Sequence, residues 1–91
     1  MDNEYLLDFT DLGNKEEIHE YLYDNLGLPD YYGNNLDALY DCLTDFSECS
    51  ITLTGLDALY EIGDYGMKLI KVFQNAAKDN DSINLIIEDI D

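Results

Sequence analysis

The stretch Leu-Pro-Asp-Tyr-Tyr-Gly-Asn-Asn-Leu-Asp-Ala-Leu-Tyr-Asp-Cys-Leu-Thr, from Leu28 to Thr44, decides the fold, because it joins a tight turn to an amphipathic helix. Its proline fixes its own φ and biases the preceding leucine toward an extended backbone. Gly33 allows a positive φ, and Asn34 or Asn35 can cap a helix by accepting from its first N–H groups. The sequence therefore predicts a loop that turns sharply into a helix beginning near Leu36.

One face of this helix is apolar. At 100° per residue, Leu36, Leu39 and Leu43 share one arc, and Cys42 lies at its edge. We expect this arc to pack on the core. Neither Cys42 nor Cys49 has metal-ligand or CxxC spacing, so both cysteines are expected to be reduced.

The opposite face of the helix is acidic. Asp37, Asp41 and Asp45 recur at i, i+4 and i+8, and no lysine or arginine occurs in residues 28–54. Each like-charge pair at this spacing destabilises a helix by roughly 0.2–0.5 kcal/mol, which suggests a cation supplied from outside. Two other interpretations stay open: Asp37, three residues after Asn34, can serve as a capping-box acid or complement the helix dipole, and Asp41 can belong to a solvated acidic face.

Tyrosines accompany the aspartates. Tyr31 and Tyr32 precede the helix, and Tyr40 falls between its two faces. Aromatic anchors beside charges are typical of protein-binding hot spots. The alternative is that Tyr31 and Tyr32 are partly buried loop packing.

The pattern Leu-Pro-acid-Tyr-Tyr-Gly-x-Asn-Leu-Asp-Ala-Leu-aromatic-Asp-Cys-Leu-Thr resembles the barstar family of intracellular inhibitors of secreted bacterial ribonucleases. Weaker resemblance extends over the Val72-Phe73 region and residues 83–87. It implies a single barstar-like domain over residues 1–91, an α/β fold with two layers, a small three-stranded parallel sheet and four helices.

The resemblance also implies a function. In the family, the second aspartate of the motif, Asp41 here, takes the place of an RNA phosphate in the ribonuclease, and Asp37 contacts cationic groups nearby. The other residues implied to contact the partner are Tyr31, Tyr32, Gly33, Asn35, Tyr40, Thr44, Phe46, Val72 and Asn75. The expected partner is a basic secreted ribonuclease or a ribonuclease-type toxin domain, the expected free state is a monomer, and no catalytic residue, cofactor or metal is implied.

The sequence departs from the family pattern at the edge of this site. Tyr40 stands where the best-known member has tryptophan, and Asn75 stands where that member has a glutamate that contacts the enzyme. Lys71 and Lys78 lie on the same predicted helix face as Asn75, so this region is expected to repel a basic partner unless the lysines only complement a helix dipole.

Charge is the strongest signal in the composition. The 91 residues contain 21 acids, four lysines and no arginine, which gives a net charge of −17 at pH 7. Despite this charge, 46% of the residues are hydrophobic, and this content excludes a disordered chain. Of the acids, 16 lie in residues 1–64 with only Lys15. Such a chain does not bind nucleic acid or an anionic membrane nonspecifically, whereas its field attracts a basic protein.

The remaining chain predicts three strands and three further helices. Strands are expected at residues 4–9, 50–54 and 83–87, the last covered on at least one face and crowded on the other. Helices are expected after an Asn14 cap as far as a stop at Gly27, at 56–62, and at 66–78, where Met67, Ile70, Phe73 and Ala77 point inward. Two right-handed crossovers then give a parallel sheet with its helices gathered on one side.

Other function classes have little support. The chain has no Gly-rich phosphate loop, and its single histidine, His19, is expected at the surface or its edge. An exposed Asp37/Asp41 pair lacks the desolvation that would separate the pKa values of a catalytic acid and base. Residues 79–81 imitate the start of a calcium loop but lack its glycine and glutamate. No apolar run has transmembrane length and the N-terminus lacks a basic signal-peptide start, so a cytoplasmic protein is expected. The alternative function is an acidic interaction domain, an immunity protein or adaptor, for another basic partner.

Overall fold

A computed structural model describes residues 3–30 and 32–88. Within them the elements follow the order β1 (Asn3–Asp8), α1 (Lys15–Leu26), α2 (Leu36–Thr44), β2 (Cys49–Thr54), α3 (Leu56–Ile62), α4 (Asp64–Asp79) and β3 (Ile83–Ile87). The predicted α/β class, with four helices and three parallel strands, is confirmed.

The sheet has the order β1-β2-β3, and both strand pairs are parallel. On the central strand Cys49, Ile51 and Leu53 are buried, whereas the alternating residues are only partly covered. The second face is open: Leu6 is 64% exposed and Ile86 41%. The expectation for β3 holds for its covered face, where Ile83 is buried, but the other face is open instead of crowded, because the helices cover one side of the sheet.

The helix ends follow local sequence signals. The side chain of Asn14 accepts from the Glu17 N–H at 2.9 Å, and Gly27 ends α1 in the left-handed conformation with φ 65°. In the turn before α2 the positive φ, 54°, belongs to Asn34 and not to Gly33 as predicted. Asparagine tolerates this conformation better than most side chains, so the glycine was not needed for it.

The packed face of α4 differs in part from the predicted one. Its buried residues are Gly66, Leu69, Phe73 and Ala76, whereas Met67, predicted to point inward, is 52% exposed. The reason is close contact between helices: a Cβ at Gly66 would lie 1.9 Å from the Leu59 carbonyl oxygen of α3. That contact turns the helix so that Ile70 and Ala77 lie at the edge of its packed face.

Candidate functional site

Helix α2 presents carboxylates to solvent from a firmly packed base. Leu39 and Leu43 are fully buried, while Asp37 and Asp41 are exposed on the other side. No described residue donates a hydrogen bond to either carboxylate. The hydroxyl of Thr44 donates to the backbone carbonyl of Asp41 at 2.9 Å, which ties the last turn of the helix together.

The start of α2 is capped by Asn35. Its side-chain oxygen accepts from the Ala38 N–H at 2.8 Å, and its amide nitrogen donates to the Gly33 carbonyl at 3.2 Å. The capping-box interpretation of Asp37 is therefore wrong, because it required Asn34 at the cap. Asp37 still lies in the first turn, where a negative charge complements the helix dipole.

A buried histidine of α1 holds the loop before α2 in place. His19 is 2% exposed, its Nδ1 lies 2.5 Å from the Tyr32 hydroxyl, and its Nε2 lies 2.5 Å from the Tyr65 hydroxyl. The prediction of a surface histidine was wrong, since tyrosines from the loop and from α4 satisfy both ring nitrogens inside the protein. Burial lowers the pKa of His19 and raises the pKa of the Tyr32 phenol.

The two adjacent tyrosines of the loop must be considered separately. Tyr32 is 7% exposed and belongs to the hydrophobic core, so the structure favours its interpretation as loop packing. Tyr31 lies outside the described residues. The exposed part of the loop includes Gly33, whose Cβ, if it had one, would lie 3.0 Å from the Asn35 amide nitrogen.

A groove of about 600 Å³ runs beside this loop. It is lined by Lys15, Glu16, His19, Glu20, Tyr23, Asp30, Tyr32 and Asn34. The Tyr23 hydroxyl donates to Asp30 at 2.6 Å, and the Lys15 ammonium lies 4.4 Å from the centre of the Tyr65 ring. The groove therefore has acidic walls, and its single lysine is engaged by an aromatic face.

Tyr40 joins α2 to the edge of α4. Its hydroxyl donates to the Asp79 carboxylate, and this hydrogen bond is the main reason that the pKa of the Tyr40 phenol is raised. Val72, half-buried, and Asn75, exposed, share the Asp79 side of α4 at i, i+3 and i+7. Helix periodicity therefore puts Val72 and Asn75 on the side of α4 where Asp79 meets Tyr40 of α2.

Phe46 of the predicted site and the nearby Lys71 also lie beside residues that do not belong to α2. Phe46 is half-buried against Tyr5 of β1, with ring centroids 6.0 Å apart. Lys71 lines a groove of about 460 Å³ that also contains Tyr60 of α3 and Met67. Lys71 is exposed and lies one helical turn before Asn75, so it stands between the α3 groove and the side of α4 that carries Asn75.

Asp79 and Asn80, which end α4, were not among the predicted site residues. The side-chain amide of Asn80 lies within hydrogen-bond distance of three carbonyl oxygens at the end of α2, those of Leu43, Thr44 and Phe46, at 3.0–3.2 Å. The local signal was an asparagine directly after a helix. Its partners lie 34–37 residues away, which no local pattern reveals.

Metal and membrane features are absent from the part of the chain that the structure describes. No group of three or more His, Cys, Asp or Glu side chains in residues 3–30 and 32–88 is arranged to hold a metal ion. Among the same residues, no helix combines the length and apolar character needed to cross a bilayer. Cys42 and Cys49 are not in disulfides, and burial raises the pKa of the Cys42 thiol, with Asp41 and Asp45 adding to it.

Comparison with known proteins settles the family. The family described as "Barstar (barnase inhibitor)" matches residues 3–88. The chain belongs to the barstar family. A Bacillus subtilis (strain 168) protein named "Putative ribonuclease inhibitor YrdF" is 38% identical over 87 residues, covering 91% of this chain and 96% of that protein. The resemblance that the loop and α2 show thus extends over nearly the whole length of this barstar-family protein.

Proposed function

We propose that this protein inhibits a basic ribonuclease by covering its active site with the acidic face of α2. The observation that supports this most is that Asp37 and Asp41 stand exposed on a capped, firmly packed helix, without a hydrogen-bond donor among the described residues. Family membership supports the same role, as does the relative's name, which describes a ribonuclease inhibitor.

The mechanism is mimicry of the substrate. An enzyme that cleaves RNA offers cationic groups to a phosphate, and a carboxylate forms charge-assisted hydrogen bonds with the same groups. Asp41 takes the place of the phosphate, and Asp37 meets cationic groups beside it. Because Leu39 and Leu43 anchor the helix in the core, little conformational freedom is lost when the carboxylates are bound.

The surrounding residues seal the enzyme's cleft. Those proposed to contact the partner are Tyr31, Gly33, Asn35, Tyr40 and Thr44 around the aspartates, with Phe46, Val72 and Asn75 farther out. Tyr32 contributes by holding the loop, since its hydroxyl already contacts His19. The net charge of −17 accelerates the encounter with a basic enzyme, and the inhibitor acts as a monomer, without a cofactor and without catalysis of its own, in the cytoplasm.

The direct test is inhibition of RNA cleavage by barnase, the ribonuclease in the family's description. Asp41→Ala should lower affinity by at least about 2 kcal/mol, the scale of an interface hot spot, while leaving the melting temperature unchanged or slightly higher because a like-charge contact with Asp37 and Asp45 is relieved.

The matched control is Asp57→Ala, which removes one exposed acid from the first turn of α3. An equal loss of affinity in this control would mean that only net charge matters. An equal loss of stability and binding in Asp41→Ala would make Asp41 structural. Absence of barnase inhibition together with tight binding to another basic protein would favour the acidic interaction domain instead.

A further inference from the structure

The last carbonyl groups of α2 lack the i+4 backbone partner of a helix interior, although the Leu43 carbonyl accepts from the Phe46 N–H at 3.1 Å. No basic residue occupies that turn, so no side-chain cation from α2 itself opposes the negative end of the helix dipole. Asn80 meets this need from another element: its amide nitrogen lies 3.1 Å from the Leu43 oxygen, 3.2 Å from that of Thr44 and 3.0 Å from that of Phe46.

The Asn80 side chain is itself held in place. Its oxygen accepts from the Ser82 N–H at 3.0 Å, and its backbone N–H donates to the Ala76 carbonyl at 2.8 Å. The residue is half-buried, so few waters compete for these contacts. Asn80 thus joins the end of α2 to the junction between α4 and β3.

The neighbouring residue holds α2 at a second point. The Asp79 carboxylate accepts from the Tyr40 hydroxyl, one residue before Asp41. Tyr40 is half-buried beside the exposed acids, so its ring can adopt several rotamers unless something fixes it. The hydroxyl provides that fixed point, and a phenylalanine at this position would lack it.

We propose that the end of α4, Asp79 and Asn80, is a clamp that positions the binding face of α2. Asp79 fixes the Tyr40 ring, and Asn80 fixes the turn that carries Thr44. Both are positioning residues: they act on the partner through α2. This inference rests on the function proposed above, because it assigns a role within the same binding face.

The clamp has a test in the free protein. The backbone N–H groups of Asp45 and Phe46 donate to the Cys42 and Leu43 carbonyls, so their hydrogen exchange reports on the last turn of α2. Asn80→Ala should accelerate exchange at both groups by at least about fivefold, with a smaller change in β2. A uniform acceleration in every element would overturn a local role for Asn80.

Tyr40 supplies a second measurement that does not depend on Asn80→Ala folding well. Asp79 raises the pKa of the Tyr40 phenol through their hydrogen bond, so NMR titration of the Tyr40 Cζ resonance should show a lower pKa in Asp79→Ala. Asp81→Ala, which removes an exposed acid from the same turn, should leave that pKa almost unchanged. Equal changes in the two variants would overturn the specific contact.

The consequence for binding is tested with barnase through Tyr40→Phe, Asp79→Ala and the double variant. Each single change should accelerate dissociation by about fivefold, a moderate interface effect. The double variant should dissociate no faster than whichever single variant dissociates faster. Multiplied losses in the double variant would mean that Asp79 acts on the enzyme independently of Tyr40 and would overturn its positioning role.

The two proposals fail in distinguishable ways. If wild-type protein does not bind barnase, the proposed inhibition of that enzyme fails, and the exchange and titration measurements still decide whether the clamp exists. If the protein binds barnase while exchange at Asp45 and Phe46 is unchanged in Asn80→Ala, the clamp fails and the inhibitor function stands.

Discussion

Replacing His19 with phenylalanine should destabilise the protein through the hydrogen bonds that it removes. The ring nitrogens contact the hydroxyls of Tyr32 and Tyr65, and every buried polar side-chain atom of the described residues has a partner. Phenylalanine keeps an aromatic ring of similar size in the core, so a large cavity is not created. The Tyr32 hydroxyl, however, is left buried without its partner.

The magnitude follows from the burial of the two tyrosines. An unpaired buried hydroxyl costs about 1–3 kcal/mol, and Tyr32 is 7% exposed, so it should bear most of this cost. Tyr65 is only half-buried, and its hydroxyl can turn toward water at a smaller cost. We expect His19→Phe to lower the free energy of unfolding by about 2–3 kcal/mol in urea denaturation at pH 7.5.

A double variant isolates the cause. Because removing both partners of a buried hydrogen bond costs less than removing one, His19→Phe with Tyr32→Phe should be more stable than His19→Phe alone. If the double variant is equally or less stable, the loss comes from packing and the hydrogen-bond argument is refuted.

The same histidine makes the free energy of unfolding depend on pH. Burial lowers the pKa of His19 below its ordinary 6.5, so the folded state favours the neutral ring. Its contribution to stability is fully present above about pH 6.5 and is lost as the pH falls toward the lower folded pKa, with a slope of at most about 1.4 kcal/mol per pH unit. His19 is the one histidine in the chain, so His19→Phe should largely abolish the dependence between pH 7.5 and 5.5. An unchanged dependence in that variant would refute this assignment.

Three further predictions concern charge and close packing. Association with barnase should slow steeply as salt is added while dissociation changes little, as stopped-flow mixing would show; a salt-independent association rate contradicts steering by the −17 charge. Asn75→Glu, alone or with Lys71→Gln, should tighten barnase binding by about 1 kcal/mol in calorimetry, and no effect would contradict the proposed docking on the edge of α4. Gly66→Ala should destabilise the protein by about 1–3 kcal/mol in thermal melts, because its Cβ would overlap the Leu59 carbonyl, and unchanged stability would contradict that close approach.

The fold was largely predictable because its signals are local. Asn14 and Gly27 bound α1 as expected, α3 has its predicted ends, and β3 spans the predicted residues. Caps, stops and apolar periodicity act within a few residues, so they can be recognised in one sequence. The inward face of α4 was harder to place, since the approach of Gly66 to Leu59 depends on how two helices meet.

The candidate site divides in the same way. The acidic face of α2 follows from helix periodicity, and the structure exposes Asp37 and Asp41 as that periodicity requires. The supports of the site do not follow from it: His19 contacts residues 13 and 46 positions away, and the partners of Asn80 are 34–37 positions away. Tertiary contacts of this kind leave no periodic trace in a sequence.

The acidic face also raises a question of stability, because α2 has only nine residues and carries like charges on its outer side. A helix of that length is marginal in water even without repulsion. Its stability must therefore come from the inner side, where Leu39 and Leu43 are fully buried, and from its capped ends. Burying one leucine contributes about 1.5–3 kcal/mol, several times the repulsion of an i, i+4 acid pair. The core thus offsets the unfavourable arrangement of Asp37 and Asp41, and a cation from a partner would relieve the repulsion that remains.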